Sequence, residues 1–279
     1  TVPLTHSRIR ATCRRRAPVP AGDQGQQIVV AGTAHVIGYD LETGKQLWVV
    51  RGLCRVISNT PVVGDDGKLY VASTGGGSAS NQPAFDRLAA AADANANGVL
   101  EPNELPGSPI KGFFGQFDRD GSGALDRDEY ESIREIFAMA QPVALAIRPG
   151  GRGDVTESHV EWTYSKSIPR NSSPLLVSGH LFIIKDGGIM TCLDSKTGKP
   201  TRTARLAASD KYYSSPVAGD GKIYVLSERG TLSVVSAQPD WKILHRADFD
   251  EDVLATPAIA NGCIYIRTVG HLYCFGMRR

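Results

Sequence analysis

The sequence lacks most of the short patterns by which enzyme sites are recognised. Its 279 residues contain no H-E-x-x-H, no G-x-S-x-G and no G-x-x-x-x-G-K-[ST], so zinc peptidase, serine-elbow and phosphate-loop chemistry find no residues to carry them. The five cysteines (Cys13, Cys54, Cys192, Cys263, Cys274) form neither an adjacent pair nor a C-x-x-C, which argues against a zinc site or a disulfide framework. Cys192, Cys263 and Cys274 sit inside strand patterns and are expected to be small core residues. No apolar run reaches the eighteen or so residues of a membrane span. A net charge of +2 gives no reason to propose a nucleic-acid partner. The six histidines are scattered; His159, between Glu157 and Glu161, is expected on a strand surface.

What the sequence has is a repeat. Pro61, Pro174, Pro216 and Pro257 each precede a Gly-x-hydrophobic-aromatic step, Gly67–Tyr70, Gly179–Phe182, Gly221–Tyr224 and Gly262–Tyr265. Ser214–Ser236 shows the unit clearly. Ser214–Ala218, Lys222–Ser227 and Thr231–Ser236 read as short strands separated by Gly219-Asp220-Gly221 and Glu228-Arg229-Gly230. Trp241–Arg246 is expected as a fourth. Four strands in about forty residues is the size of a propeller blade. The later prolines stand 42 and 41 residues apart, but Pro61 precedes Pro174 by 113. One blade therefore holds an insertion.

A local turn recurs with the repeat. Asp40-Leu-Glu-Thr-Gly-Lys-Gln-Leu-Trp48 places an Asp and a Thr where their side chains can bond turn amides, and Gly44 where positive φ is needed. Trp48 is expected to pack between blades. Asp194–Lys199 repeats the turn without the Trp, and Asp154–Trp162 keeps the Asp-to-Trp spacing without Thr-Gly-Lys. Arg152-Gly153-Asp154 spells an adhesion tripeptide but is read as a structural turn. The acidic run Asp248–Asp252 is read as a solvated inter-blade loop.

D-x-x-T-G-K-x-x-W at this spacing resembles the tryptophan-docking repeat of pyrroloquinoline-quinone (PQQ) type β-propellers. Gly151–Trp162 and Ala255–Gly276 are similar to characteristic segments of the non-catalytic, PQQ-like repeat proteins of bacteria. That resemblance covers residues 27–80 and 142–276. It implies an all-β propeller of four-stranded antiparallel blades in a partial ring, the C-terminal part of a longer one, with an extracytoplasmic (periplasmic or secreted) location. It also implies a scaffold for a protein or glycan partner. PQQ-dependent dehydrogenases of the same fold use an adjacent Cys-Cys pair against the quinone, which this chain does not have, so neither bound PQQ nor catalysis is expected. The alternative, a dehydrogenase whose quinone residues lie in further blades, stays open.

The insertion, residues 81–141, has a different composition. Pro83–Asp93 is the chain's Ala-rich helical run. Two twelve-residue stretches follow, Asp93–Glu104 and Asp118–Glu129, and both match the EF-hand calcium loop. Calcium takes six to eight hard oxygens. Positions 1, 3 and 5 offer them on short side chains: Asp93, Asn95 and Asn97, then Asp118, Asp120 and Ser122. Gly98 and Gly123 make the sharp turn at position 6. Val99 and Ala124 give backbone carbonyls, Glu101 and Asp126 stand at position 9, and Glu104 and Glu129 close the loops as bidentate ligands. Leu100 and Leu125, at position 8, are expected to point inward between paired loops. Two calcium sites are expected, the second tighter, because its ligand positions carry four acids against three. Helices are predicted over Pro102–Leu105, Ile110–Phe117 and Tyr130–Met139, and none outside the insertion. Phe85, Leu88, Phe113, Phe114, Phe117, Ile133, Ile136 and Phe137 are the expected small core. Residues 1–26, rich in arginine, read as a disordered basic leader.

Overall fold

The structure is a computed structural model that describes residues 26–32, 34–54, 59–74, 83–105, 107–108, 110–111, 114–139 and 141–276. Residues 1–25 of the expected leader, Cys13 among them, lie outside the described residues. The chain forms two compact units: Gly76–Ala140 is one, and the remainder, before and after it, is the other.

In the larger unit, β1 (Gln27–Gly32), β2 (His35–Asp40) and β3 (Gln46–Arg51) form the first meander. β4 (Val62–Val63) and β5 (Leu69–Ser73) begin the second sheet. The smaller unit then follows in sequence, with α1 (Phe85–Ala92), α2 (Phe114–Phe117) and α3 (Arg127–Met139). β6 (Val143–Ile147) resumes beside β5, so that Ser73 pairs directly with Val143. Next come β7 (Gly153–Asp154), the single turn α4 (Thr156–His159) and β8 (Val160–Tyr164). Two regular four-stranded meanders follow. The first is β9 (Leu175–Val177), β10 (His180–Lys185), β11 (Ile189–Asp194) and β12 (Pro200–Arg205). The second is β13 (Val217–Gly219), β14 (Lys222–Leu226), β15 (Thr231–Ser236) and β16 (Ile243–Asp248). β17 (Ala258–Ala260), β18 (Cys263–Arg267) and β19 (Leu272–Gly276) form the last sheet.

Each of the three central sheets packs its two faces against two neighbours, and the middle strands record this. Leu69 and Val71 of β5 meet Val36, Trp48 and Val50 of the first sheet, while Tyr70 and Ala72 face Leu181 and Ile183 of the third. Phe182 and Ile184 of β10 point the other way, to Ile223, Val225 and Trp241. Leu226 and Val234 meet Ile266 of the last sheet. Side chains alternate across a strand. A strand covered on both faces therefore reads as a continuous apolar run, and all five residues of β5 and of β6 are buried. The outer strands β12 and β16 are mostly exposed.

A chain of hydroxyl-to-amide bonds ties the sheets together at the recurring prolines. The residue before each proline is a Ser or Thr, and the oxygens of Ser173, Ser215 and Thr256 each accept the equivalent N–H of the preceding sheet. Thr60 N–H donates to Ser173 Oγ at 2.9 Å, Ser173 N–H to Ser215 Oγ at 2.9 Å, and Ser215 N–H to Thr256 Oγ1 at 3.1 Å.

The D-x-x-T-G-K turns form as their chemistry dictates. Asp40 Oδ1 accepts from Thr43 N–H and Thr43 Oγ1, both at 2.7 Å. Asp194 Oδ1 accepts from Thr197 N–H and Oγ1, both at 2.8 Å. These bonds hold both carboxyls below the ordinary value of 3.8, with the Thr hydroxyl as the largest cause in each. Gly44 and Gly198 have φ of +67° and +68°. The docking tryptophan of the second sheet is Trp162, whose Nε1–H donates to Ser195 O at 2.8 Å in the turn of the third. Trp48 is fully buried between the first two sheets, and its Nε1–H donates to Gln27 Oε1 at 2.8 Å within its own sheet.

Several expectations are corrected. The fourth strand of the β13–β16 meander begins at Ile243, not Trp241, which is a buried residue of the preceding loop. α4 is helical outside the insertion, and His159 stands on it rather than on a strand. It belongs to an excursion from β6 that lays β7 parallel to the outer edge of β3 before β8 returns. Asp154 is clasped there: Arg51 Nε donates to its Oδ2 at 2.7 Å, and Thr156 Oγ1 to its Oδ1 at 2.6 Å. Within the insertion, Pro102–Leu105 is a turn, and α2 is shorter than Ile110–Phe117. Of the cysteines, Cys192 is buried as expected, but Cys263 is half-buried and Cys274 exposed. They lie on the face of the last sheet opposite the one that packs on Leu226 and Val234.

In the smaller unit, Phe85, Leu100, Leu105, Ile110, Phe114, Phe117, Leu125 and Tyr130 form the core, with Leu88 packed against it. Phe113 and the side chains of Ile133, Ile136 and Phe137 lie outside what the structure describes. Arg127 pairs with Asp86 and sits 5.1 Å over the Phe85 ring, Tyr130 Oη–H donates to Pro83 O at 2.9 Å, and Phe85 N–H donates to Glu131 Oε1 at 2.8 Å. These contacts bind the start of α1 to α3.

Candidate metal centre

The two acidic loops of the smaller unit lie side by side. Leu100 N–H donates to Leu125 O at 3.0 Å and Leu125 N–H to Leu100 O at 2.9 Å, and neither side chain reaches solvent. A two-residue antiparallel bridge with both leucines in the core fixes the loops' separation and orientation.

Both loops are folded by the same backbone-to-carboxylate bonds. Asp93 Oδ2 accepts the Gly98 N–H at 2.9 Å, and Asp118 Oδ2 the Gly123 N–H at 3.0 Å. Gly98 and Gly123 have φ of +82° and +85°, a conformation that glycine adopts without steric cost. Glu104 accepts from Ala94 N–H at 2.9 Å and Glu101 N–H at 3.0 Å. Glu129 likewise accepts from Arg119 N–H at 2.6 Å and Asp126 N–H at 3.2 Å. Each closing glutamate is thus drawn inward, and both are buried. Asp126 Oδ1 in turn accepts the Glu129 N–H at 2.7 Å. This reciprocal pair is a capping box at the start of α3, and Asp126-x-x-Glu129 is its signal in the sequence.

In the second loop the carboxylates of Asp118, Asp120 and Glu129 converge, each offering an oxygen within 4.8 Å of the others. Asp118 Oδ1 is buried and has no hydrogen-bond partner. A buried carboxylate oxygen without a partner costs stability, and two more carboxylates beside it add repulsion. Asp120 is held below the ordinary carboxylate value by the Ser122 N–H and then the Ser122 hydroxyl, which favours its ionised form. Ser122 Oγ–H donates to Ala124 O at 3.1 Å, bringing these two oxygens together as well.

The first loop gathers the same positions but satisfies them internally. Asn95 Oδ1 accepts the Asn97 N–H and Asn97 Oδ1 the Val99 N–H, both at 3.0 Å. Their amide nitrogens reach Glu101, Asn97 Nδ2 at 2.7 Å and Asn95 Nδ2 at 3.3 Å. Contact with the Glu104 carboxyl, then with Asn97, lowers the Glu101 pKa. Asn95 stands where the second loop has Asp120, so the first loop carries one carboxylate fewer than its partner.

No protein-family model matches the sequence, and no curated protein matches it. Among solved structures, the crystal structure of BamB from Moraxella catarrhalis is similar over 91% of this chain, with a TM-score of 0.51 and 14% identity. The larger unit has a β-propeller repeat fold. The chain spans 56% of the length of that BamB. A computationally designed protein, Ika8, gives a TM-score of 0.47 at 8% identity, covering 92% of this chain and 60% of its own. At 14% identity the likeness to BamB is one of fold. No helix among the described residues is long and apolar enough to cross a membrane.

Proposed function

We propose that this chain is a non-catalytic, calcium-binding propeller module that holds a protein or glycan partner outside the cytoplasm, and that its smaller unit is an EF-hand pair. The observation that carries the calcium reading is the convergence of Asp118, Asp120 and Glu129 with a buried, partnerless Asp118 Oδ1. Hard oxygens of this kind suit calcium. Asp118, Asp120, Ser122, the Ala124 carbonyl, Asp126 and Glu129 would hold one ion. Asp93, Asn95, Asn97, the Val99 carbonyl, Glu101 and Glu104 would hold the other. A bound ion supplies the positive charge that the converging carboxylates lack, and the residues' own part is to orient those oxygens. The backbone N–H groups behind Glu104 and Glu129 already do so. The propeller fold supports the scaffold reading, since rigid rings of this kind present loops to partners. The absence of an adjacent cysteine pair supports the lack of quinone chemistry.

Calorimetric titration with calcium tests the reading. Two sites are expected, the tighter lost in Glu129→Gln and the weaker in Glu104→Gln, because each change removes a bidentate ligand. Unchanged uptake in the double variant refutes the assignment. Quinone-dependent dye reduction on addition of PQQ and calcium would refute the non-catalytic part.

A further inference from the structure

Cys263 and Cys274 stand apart from the other described cysteines. Cys54 and Cys192 are buried, whereas Cys263 is half-buried and Cys274 exposed. Both project from the open face of the last sheet, on adjacent antiparallel strands. Cys263 is paired across the ladder with Gly276, and Tyr265 with Cys274, which makes the two cysteines diagonal neighbours. Gly276 gives the sulfur its room: a Cβ at that position would stand 2.5 Å from Cys263 Sγ. The ladder register puts Cys263, Tyr265 and Cys274 on one face of the sheet. Interaction with Cys274 is the largest cause of a raised Cys263 pKa, which favours the thiol form of Cys263.

We propose that Cys263 and Cys274 form a redox-labile dithiol that closes to a disulfide across β18 and β19. A disulfide oxidant such as oxidised glutathione is attacked by one thiolate, giving a mixed disulfide and releasing one reduced glutathione. The second cysteine then displaces the other glutathione and closes the intramolecular bond. The protein gives up two electrons and two protons in all, and two reduced glutathiones result. Diagonal neighbours on adjacent strands have Cα atoms about 7–8 Å apart, beyond the comfortable span of a disulfide. Closure therefore shifts one strand along the other, and a strained, exposed bond of this kind is the readily reduced sort rather than a permanent staple. The proposal is independent of calcium binding.

The whole chain is equilibrated in glutathione buffers of graded redox poise, alkylated without denaturation, digested and weighed. Expected is a linked peptide pair carrying Cys263 and Cys274, lost in step as the buffer becomes reducing, while Cys54 and Cys192 stay reduced. Cys274→Ser and Cys263→Ser should each abolish the link, and the exposure of Cys274 makes its serine variant readily tolerated. Separate glutathione adducts on the two cysteines without closure, two free thiols in the most oxidising buffer, or a bond to a different cysteine would each overturn the proposal.

Discussion

The two D-x-x-T-G-K turns set up a controlled measurement of tryptophan docking. Gly44 and Gly198 occupy the same position of the same turn, with φ of +67° and +68°. A Cβ on Gly44 meets nothing within 4 Å, whereas one on Gly198 lands 2.5 Å from Cδ2 and 2.6 Å from Cε3 of Trp162. Alanine at either site incurs the left-handed backbone strain of about 1–2 kcal/mol. At Gly198 it must also displace an indole that is 9% exposed and bonded to Ser195 O. Overpacking of a filled site costs about 1–3 kcal/mol. Gly198→Ala is therefore expected to destabilise by about 2–5 kcal/mol, and Gly44→Ala by about 1–2 kcal/mol.

Urea unfolding followed by circular dichroism and tryptophan fluorescence measures both, provided the slopes agree. The difference between the variants isolates the close approach, because the strain is common to both. A third measurement guards the interpretation. In a Trp162→Ala background the obstruction is gone, so Gly198→Ala should there cost no more than Gly44→Ala does. Equal costs for Gly44→Ala and Gly198→Ala in the native background would show that the indole does not rest on the turn, and the reasoning would fail.

Leu125→Ala removes a side chain with no exposure from the bridge between the acidic loops, at an expected cost of about 2–5 kcal/mol. A unit as small as Gly76–Ala140 has little stability to lose, so calcium titration should show both sites weakened together; loss of one alone would count against the shared bridge. The lowered pKa of Asp194, set first by the Thr197 hydroxyl, contributes stability that is full above its unfolded value near 3.8 and is lost as pH falls through the lower folded value. Thr197→Ala should move the Asp194 titration, read by carbon-detected NMR, up toward 3.8, and an unmoved titration would assign the shift to the backbone amides instead.

Much of the fold was legible because its signals are local. The turn chemistry of Asp40–Lys45 and Asp194–Lys199, the alternation along Thr231–Ser236 and the spacing of the acidic loops each depend on residues close in sequence. The structure places these elements within a residue or two of where the sequence predicts them. What escaped depends on distant partners. β7 is two residues, Gly153–Asp154, whose strand character comes from Trp48 and Val49 far back in the chain. Its local sequence, with glycine beside aspartate, reads as a turn. Trp241 escaped for a related reason: an apolar residue at the head of an apolar run looks like a strand start, but the bulk of an indole can be buried from a loop. The fates of Cys263 and Cys274 were illegible because the pattern of a strand does not say whether a given face will be covered.

The position of the insertion also follows from the sheet it interrupts. β5 and β6 are adjacent middle strands, and their register runs unbroken from Leu69↔Ile147 to Ser73↔Val143. Their ten residues are all buried, so the pairing is fixed by packing on both faces rather than by the turn that joins them. In the neighbouring sheets that junction is a tight hairpin at Gly187-Gly188 or at Arg229-Gly230, where a Cβ on Gly188 would stand 2.1 Å from Ala208 O and one on Gly230 2.3 Å from Glu251 O. Those turns are committed to contacts with the loop that leads to the next sheet and have no room for added residues. Lengthening a loop whose ends are already held together adds only a slowly growing entropic cost. A helical unit with its own core can therefore be carried between β5 and β6 without changing the ladder, and the acidic loops can keep the spacing their chemistry requires while the blade around them keeps its own.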